Sequence, residues 1–355
     1  MRARRLARSS LVQRSSDLVE AVRAVGGVHA QVQASAELQL AARVDGITQS
    51  DIRHALWRDR TLVKTWTLRG TLHLHPADEL PLWFAARRVV RSDWAEGLAA
   101  WPDPQGVVHP PVSADELAEL RAAVWDAFAG RALLRDELAT EVIRRVGPKH
   151  EGRLRSGFAF FTSELCQGPP QGSKITLARP DQWIEGWREV DEERALPEVL
   201  RRFLHAYGPA RPADFRAWFG ADVSFELVDV EEVDVEGHRA SVLAGDTEFP
   251  ELEKSVRLLP EYDVYIMGFR ERDQLVPPKV RDQVAAHGRG RYEGPAGVRF
   301  VLADGTAAGL WERKKFAKRL EVSVVTARRA RRTELREEAE RYASFLGVEL
   351  ALTVG

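Results

Sequence analysis

Residues 62–75, LVKTWTLRGTLHLH, switch the chain from a helical period to a period of two, with apolar residues alternating about a central Arg69-Gly70. Alternation of this kind is the mark of a half-buried strand, and Gly70 permits a tight turn at its midpoint. The stretch therefore predicts a β-hairpin with arms near 62–68 and 71–75. Working outward, SSDLVEAVRAVGG opens on the cap residues Ser16 and Asp17. It sets Leu18, Val22 and Val25 on one face and stops at Gly26 and Gly27, so it predicts a short helix. A second helix is expected from near Ser35 through Leu38, Leu40 and Ala41 to Gly46, and a third after Ser50 with Ile52, Leu56 and Trp57 turned inward. Helices followed by a hairpin make a winged-helix unit, a form of helix-turn-helix.

The order recurs downstream without a strict sequence repeat. A helical stretch from Asp78 to Trp94 and the Pro-rich WPDPQGVVHPPVS lead to helices expected at 114–129, 135–146 and 152–166, and GSKITLARP reads as a wing strand. LPEVLRRFLHAYG and RPADFRAWFG then form a further helix pair before the strand-like VSFELVDVEEVDVEGHRASVL. Toward the C-terminus, SVRLLPEYDVYIMGF, GVRFVLADGTAAGLW and LEVSVVTA read as strands, with turns at Asp304-Gly305 and around Gly268, and TELREEAERYASFLG as a closing amphipathic helix. The class expected is α+β: tandem winged-helix units, three in number, over 1–100, 101–190 and 191–355, the last carrying a strand-rich C-terminal region.

At 355 residues, 44% hydrophobic and 30% charged, the chain has the composition of a globular protein of two or three packed units. The lone Cys166 excludes a disulfide framework and a cysteine-based zinc cluster. The basic start MRARRLARSS is not followed by an apolar h-region, and no stretch approaches the ~18 apolar residues of a membrane span. A cytoplasmic protein without a membrane partner is expected.

The formal net charge of -1 conceals opposed blocks. Residues 221–261 hold 12 acids and 3 bases, whereas 276–332 hold 14 bases and 5 acids, and the first 100 residues hold 15 bases and 10 acids. Two solvated faces that pair with each other would account for this. So would a polyanion-binding surface, since clustered guanidinium groups match phosphate in a bidentate fork.

Four segments carry candidate chemistry. HAQVQAS places Gln31 and Gln33 one aliphatic residue apart between two helices; amides are not general bases, but they hold a water or a sugar through donor and acceptor together. In TWTLRGTLHLHP, Arg69 at the turn is placed to meet phosphate, and His73 and His75 share a strand face, without a third ligand at recognisable metal spacing. LLPEYDVYIMGFRERD sets Glu261, Asp263, Arg270, Glu271 and Arg272 around a hydrophobic hairpin-like strand, a pattern that suits a structural ion-pair network better than an acid–base site. GRGRYEGPAG is glycine-rich and basic but lacks the Lys-Ser/Thr of a P-loop, and reads as a mobile loop.

Taken together, QVQ at 31–33, TWTLRGTLHLHPADE at 65–79, LLPEYDVYIMGFRERD at 258–273 and VLADGTAAGLWERKK at 301–315 resemble, in order and spacing, the AlkZ family of bacterial winged-helix DNA glycosylases. The resemblance runs from about residue 11 to 350. It implies a monofunctional glycosylase that needs no cofactor or metal and acts as a monomer on double-stranded DNA carrying an alkylated guanine. The family's glutamine pair falls on Gln31 and Gln33. Many members have Asp directly after the second Gln, where this chain has Ala34. A DNA-facing hairpin or loop of the family falls near Tyr265 to Arg272, which makes Arg270 and Arg272, with Arg69, Lys314 and Lys315, the expected DNA contacts. The competing reading is a winged-helix DNA-binding protein or transcriptional regulator in which QVQ is only a cap.

Overall fold

In the computed structural model, residues 62–66 and 72–76 are strands flanking a 3-10 turn at Leu68–Gly70, in which Arg69 and Gly70 take φ of +54° and +68°. The structure describes all residues except 91–97, 104, 158–163 and 288–296. The expected α+β class holds, and the chain forms two compact units. The first comprises Met1–Ala55, Leu68–Pro76 and Pro197–Gly355, the second Leu56–Thr67 and Ala77–Leu196.

In the first unit, Asp17 caps the Leu18–Ala24 helix by accepting from the Val19 and Glu20 N–H groups, the role its position predicts. Strand Val28–His29 pairs antiparallel with Leu72–Pro76, His29 opposite His73. Gly27 must be glycine: a Cβ there would lie 2.5 Å from the His75 ring, at a φ of +109°. The next helix spans Gln33–Arg43, two residues earlier than the periodicity implies, so Gln33 stands in its first turn.

The strand-rich region is a five-stranded sheet in the order 256–259, 300–303, 306–315, 319–326 and 349–354. Its strands are antiparallel except the last pair, which is parallel because the Arg332–Phe345 helix lies between them in sequence. The sequence predicts this helix as the closing element, but the Glu349–Val354 strand follows it. Asp304-Gly305 forms the anticipated turn, with φ of +51° and +77°. Leu320, Val322 and Val324 alternate inward, and Trp311 stacks on Tyr342 at 5.4 Å while donating to the Leu259 carbonyl at 2.8 Å.

The expectation of a strand running through 258–273 is corrected. The strand stops at Leu259, Tyr262 adopts φ +62°, and Asp263 accepts from the Tyr265 N–H to start a short helix at Val264–Met267, followed by a 3-10 turn at Arg272–Gln274. The aromatic and β-branched composition of VYIM mimics a strand, but the Asp cap and the left-handed Tyr262 decide the local fold. The N-terminal basic run, read only as a charged start, is a helix at Arg2–Arg8 whose Arg4 and Arg5 are buried.

In the second unit, helices at Ala114–Phe128, Arg135–Val146 and Glu151–Arg155 pack through Leu117, Leu120, Val124, Leu138, Val142 and Leu154. A hairpin follows, Cys166–Gln171 with Lys174–Ala178, and the two-residue strand Leu133–Leu134 between the first two helices pairs with its second arm. Cys166 lies on that strand and not at the end of a helix over 152–166; the described part of the helix ends at Arg155. The 3-10 turn Ala77–Glu79 and the Leu80–Val90 helix match the start of the helical stretch expected from Asp78, whose end at Trp94 lies outside the described residues, as does GRGRYEGPAG up to Ala296.

Candidate active site and nucleic-acid interface

Gln31 extends a strand pair with its side chain. The Ala30 N–H donates to the Leu72 carbonyl at 2.7 Å, and the bond back is made by the side chain, the Leu72 N–H donating to Gln31 Oε1 at 3.3 Å. Because the partner is a donor, the amide atom facing it must be oxygen, and the NH2 end is turned away. Gln33, one residue beyond the exposed Val32, is held the other way round: its Nε2 donates to Glu37 Oε1 at 3.3 Å, one helical turn on. A carboxylate accepts only, so here the oxygen end of the amide is turned away. Two side chains with the same functional group thus present opposite dipole ends. Glu37 is buried, and it also accepts from Gln49 Nε2 and lies 3.5 Å from Arg53.

The same helix is fixed from its other side. Ser35 donates to the Glu261 carbonyl, and Gln39 donates to the His29 carbonyl at 3.0 Å and accepts from the Val264 N–H at 3.2 Å. Arg43 makes a two-pronged pair with Asp263 at 2.8 and 2.7 Å, both side chains fully buried. Burial lowers the Arg43 guanidinium, but the Asp263 charge outweighs it and the net direction is up. Glu261 in turn accepts from Arg299 at 2.7 and 3.2 Å and lies 3.8 Å from Arg313. Burial works to raise its carboxyl, yet these cations hold it below the ordinary range. Glu261 and Asp263 are thus members of a structural ion-pair network, as their setting among bases suggests. Sequence reasoning missed Glu37, which only the i, i+4 spacing from a helix starting at Gln33 would have revealed.

His29, His73 and His75 form a buried row with ring centroids 5.3 and 6.1 Å apart, and His29 packs on Tyr262 at 5.5 Å. Burial, helped by the neighbouring rings and Arg69, pushes His73 well below its usual value, and burial alone takes His75 to about 3. Among the described residues, no group of three or more His, Cys, Asp or Glu side chains is arranged to hold a metal ion. The row is packing.

The candidate phosphate contacts separate into two places. The Arg69 guanidinium turns onto the C-terminal carbonyls of the Pro212–Phe219 helix, donating to Ala217 at 3.3 Å and Trp218 at 2.5 Å, an arrangement that suits the negative end of a helix. Arg272 is near enough that burial, and then the Arg69 charge, lower it. Arg270 is half-exposed, 3.6 Å from Glu271, which also pairs with Arg211 at 2.7 Å. Lys314 and Lys315 lie elsewhere, at the exposed end of the hairpin formed by Thr306–Lys315 and Arg319–Thr326. There the Phe316 ring is flanked by Lys314 at 4.9 Å and Arg319 at 5.2 Å, with Lys318 exposed beside them. The C-terminal hairpin is therefore at 306–326, and residues 265–272, expected as a hairpin or loop, are a short helix and a connecting loop. Among the described residues no helix is long and apolar enough to cross a membrane.

An α+β chain with a half-exposed amide pair on its surface matches the family described as DNA glycosylase AlkZ-like over residues 22–345, and the chain belongs to that family. It is a DNA glycosylase, an enzyme that hydrolyses N-glycosyl bonds. It is 33% identical over 315 residues to the interstrand DNA cross-link repair glycosylase of Streptomyces sahachiroi, covering 81% of this chain and 79% of that protein. The solved structure of Streptomyces sahachiroi DNA glycosylase AlkZ matches with a TM-score of 0.78 at 25% identity, over 100% of this chain and 98% of that one.

Proposed function

We propose that the enzyme hydrolyses the N-glycosidic bond of N7-alkylguanine in duplex DNA, including bulky adducts and interstrand crosslinks, as a cytoplasmic monomer without cofactor or metal. Gln31 and Gln33 are its catalytic residues. The observation that carries this reading is the opposed orientation of the two amides. An N7-alkylated guanine already bears a positive charge and leaves as a neutral base, so the reaction needs no strong general acid. What it needs is stabilisation of an oxocarbenium-like sugar and a positioned water. The oxygen end of Gln33 suits the developing cation and accepts from the water, and the NH2 end of Gln31 supports the water or the sugar from the other side. The name of the curated relative, a crosslink repair glycosylase, supports the bulky end of the substrate range.

The helix–strand–helix–helix–hairpin order of residues 114–178 supports reading that segment as one of the three tandem winged-helix units proposed. DNA contact falls to Arg69, Arg270 and Arg272 and, at the 306–326 hairpin, to Lys314 and Lys315. The test is incubation of the protein with a duplex containing a single N7-methylguanine, followed by mass detection of free base. Release of 7-methylguanine is expected. Binding of the duplex with no release would favour a winged-helix binding protein instead.

A further inference from the structure

We infer that Glu37 is a positioning residue for the Gln33 amide, an inference that rests on the proposed role of Gln33. The side chain is a buried carboxylate, 3% exposed, one turn into the helix that Gln33 begins. Its partners here are all donors: Gln33 Nε2 on Oε1, Gln49 Nε2 on Oε2, and the Arg53 guanidinium at 3.5 Å.

This arrangement has two consequences for the amide. A terminal amide has two orientations of nearly equal shape, so an exposed glutamine samples both and presents its oxygen only part of the time. An acceptor-only group beside it removes that freedom. Against a carboxylate, the orientation that points Nε2 at it is bonded, and the flipped one sets two oxygens face to face. Preorganisation of this kind matters most where charge develops in the transition state, because the dipole is then aligned before the reaction begins.

The second consequence is electrostatic. Gln33 sits at the start of an eleven-residue helix, whose free N–H groups amount to about half a positive charge and oppose a cation forming nearby. A carboxylate one turn in offsets that field. Gln49 opens the following helix, and Arg53 lies on it with its side chain 56% exposed, so Glu37 is held in turn by groups on a second element.

The alternative is that Glu37 only ties the two helices together. Single-turnover release of 7-methylguanine from a duplex, with DNA affinity measured in parallel, separates the two roles. Glu37→Gln, which can accept from only one side and lets the Gln33 amide turn, is expected to slow release on the order of tenfold to a hundredfold with DNA affinity within twofold of wild type. In a Gln33→Ala background the same change should cost clearly less than it does with Gln33 present, because the part of its effect that passes through the amide is gone and only the field of the carboxylate remains. Glu37→Asp keeps the charge but draws it back by one methylene, and provides the same comparison if Glu37→Gln unfolds. Release at the wild-type rate by these variants overturns the inference, and so does an undiminished loss in the Gln33→Ala background, which a purely structural role predicts. A wild-type protein that releases no base removes the reading of Gln33 and this inference with it. Slow Gln33→Ala beside fast Glu37→Gln removes the inference alone.

Discussion

The amide ends at Gln31 and Gln33 are set by neighbours of opposite hydrogen-bonding character, a backbone N–H and a carboxylate. Loss of either should therefore appear in the chemical step. Gln31→Ala and Gln33→Ala are each expected to slow base release by about 2.7–4 kcal/mol, on the order of a hundredfold to a thousandfold, if preorganised polar contacts in other enzymes are a guide. DNA affinity should stay nearly unchanged, and the double variant should lose less than the sum, because on the proposed mechanism both amides serve one water and sugar. Single-turnover kinetics reads this; wild-type excision by both single variants would end the assignment. The Gln pair was legible in the sequence as a motif. Its orientation was not, since that depends on Leu72 and Glu37, which lie outside the motif. Residue-scale burial also sets a pH response. His75, held to about 3 by burial, stays neutral when folded and is protonated when unfolded below about 6.5. A depressed folded value makes its stabilising contribution complete above the unfolded pKa and lost as pH falls from about 6.5 toward 3, by about 1.4 kcal/mol per pH unit. His73 acts in the same direction. Denaturant midpoints taken from pH 7 to 5 should fall, and a His75→Gln variant that still folds should show a shallower decline.

Segments whose pattern and turn chemistry agree were read correctly from sequence, and those in which a tertiary partner overrides the pattern were not. Asp304-Gly305 between alternating runs is a turn in the chain as in the fold. YDVYIMGF has strand composition, but Asp263 caps a helical turn and pairs with Arg43, 220 residues away in sequence, a partner no local window contains. Breaking this pair leaves a buried charge, so Arg43→Met or Asp263→Asn is expected to destabilise the first unit by about 3–5 kcal/mol, measured by chemical denaturation. A loss under about 1 kcal/mol would show that the network is not what holds the Gln33–Arg43 helix. Of the expected DNA contacts, we propose that those at the 314–319 tip carry most of the binding. Glu271 lies beside Arg270, and Arg69 caps a helix, whereas the 314–319 tip presents Lys314, Lys315, Lys318 and a half-exposed Phe316 together. Replacing Lys314, Lys315 and Lys318 by Ala should weaken duplex binding more than replacing Arg270 and Arg272, with little change in thermal midpoint, since exposed bases add little to stability. The reverse ranking in a binding titration would return the interface to residues 270–272.

At the scale of the whole chain, charge has to be assigned by what each group touches. Arg299 and Arg313 of the basic block face Glu261 of the acidic one, Arg319 pairs with Glu321, and Arg331 with Glu334 and Asp304. Arg4 and Arg8 in the basic N-terminal run pair with Asp246. The view of blocks that cancel each other is thus right for part of the chain, and the excess of 14 bases over 5 acids from 276 to 332 overstates the surface a polyanion would meet. The sequence could not make this distinction for Arg4 and Arg8, because the discontinuous first unit brings them to an Asp246 more than 200 residues away. The consequence is a modest electrostatic footprint. If the free bases at the 306–326 hairpin are chiefly Lys314, Lys315 and Lys318, about three phosphates are neutralised, the logarithm of affinity should fall with slope about -2.7 against the logarithm of salt, and affinity should drop on the order of fortyfold between about 50 and 200 mM. A slope near about -8 would mean that the internal pairs open to meet DNA, and a slope near zero that phosphate contacts do not govern binding. The Lys314, Lys315 and Lys318 triple variant gives the decisive comparison: its slope should flatten by about 2.7 units, an equal share for each phosphate left without its lysine, on undamaged duplexes of unrelated sequence alike.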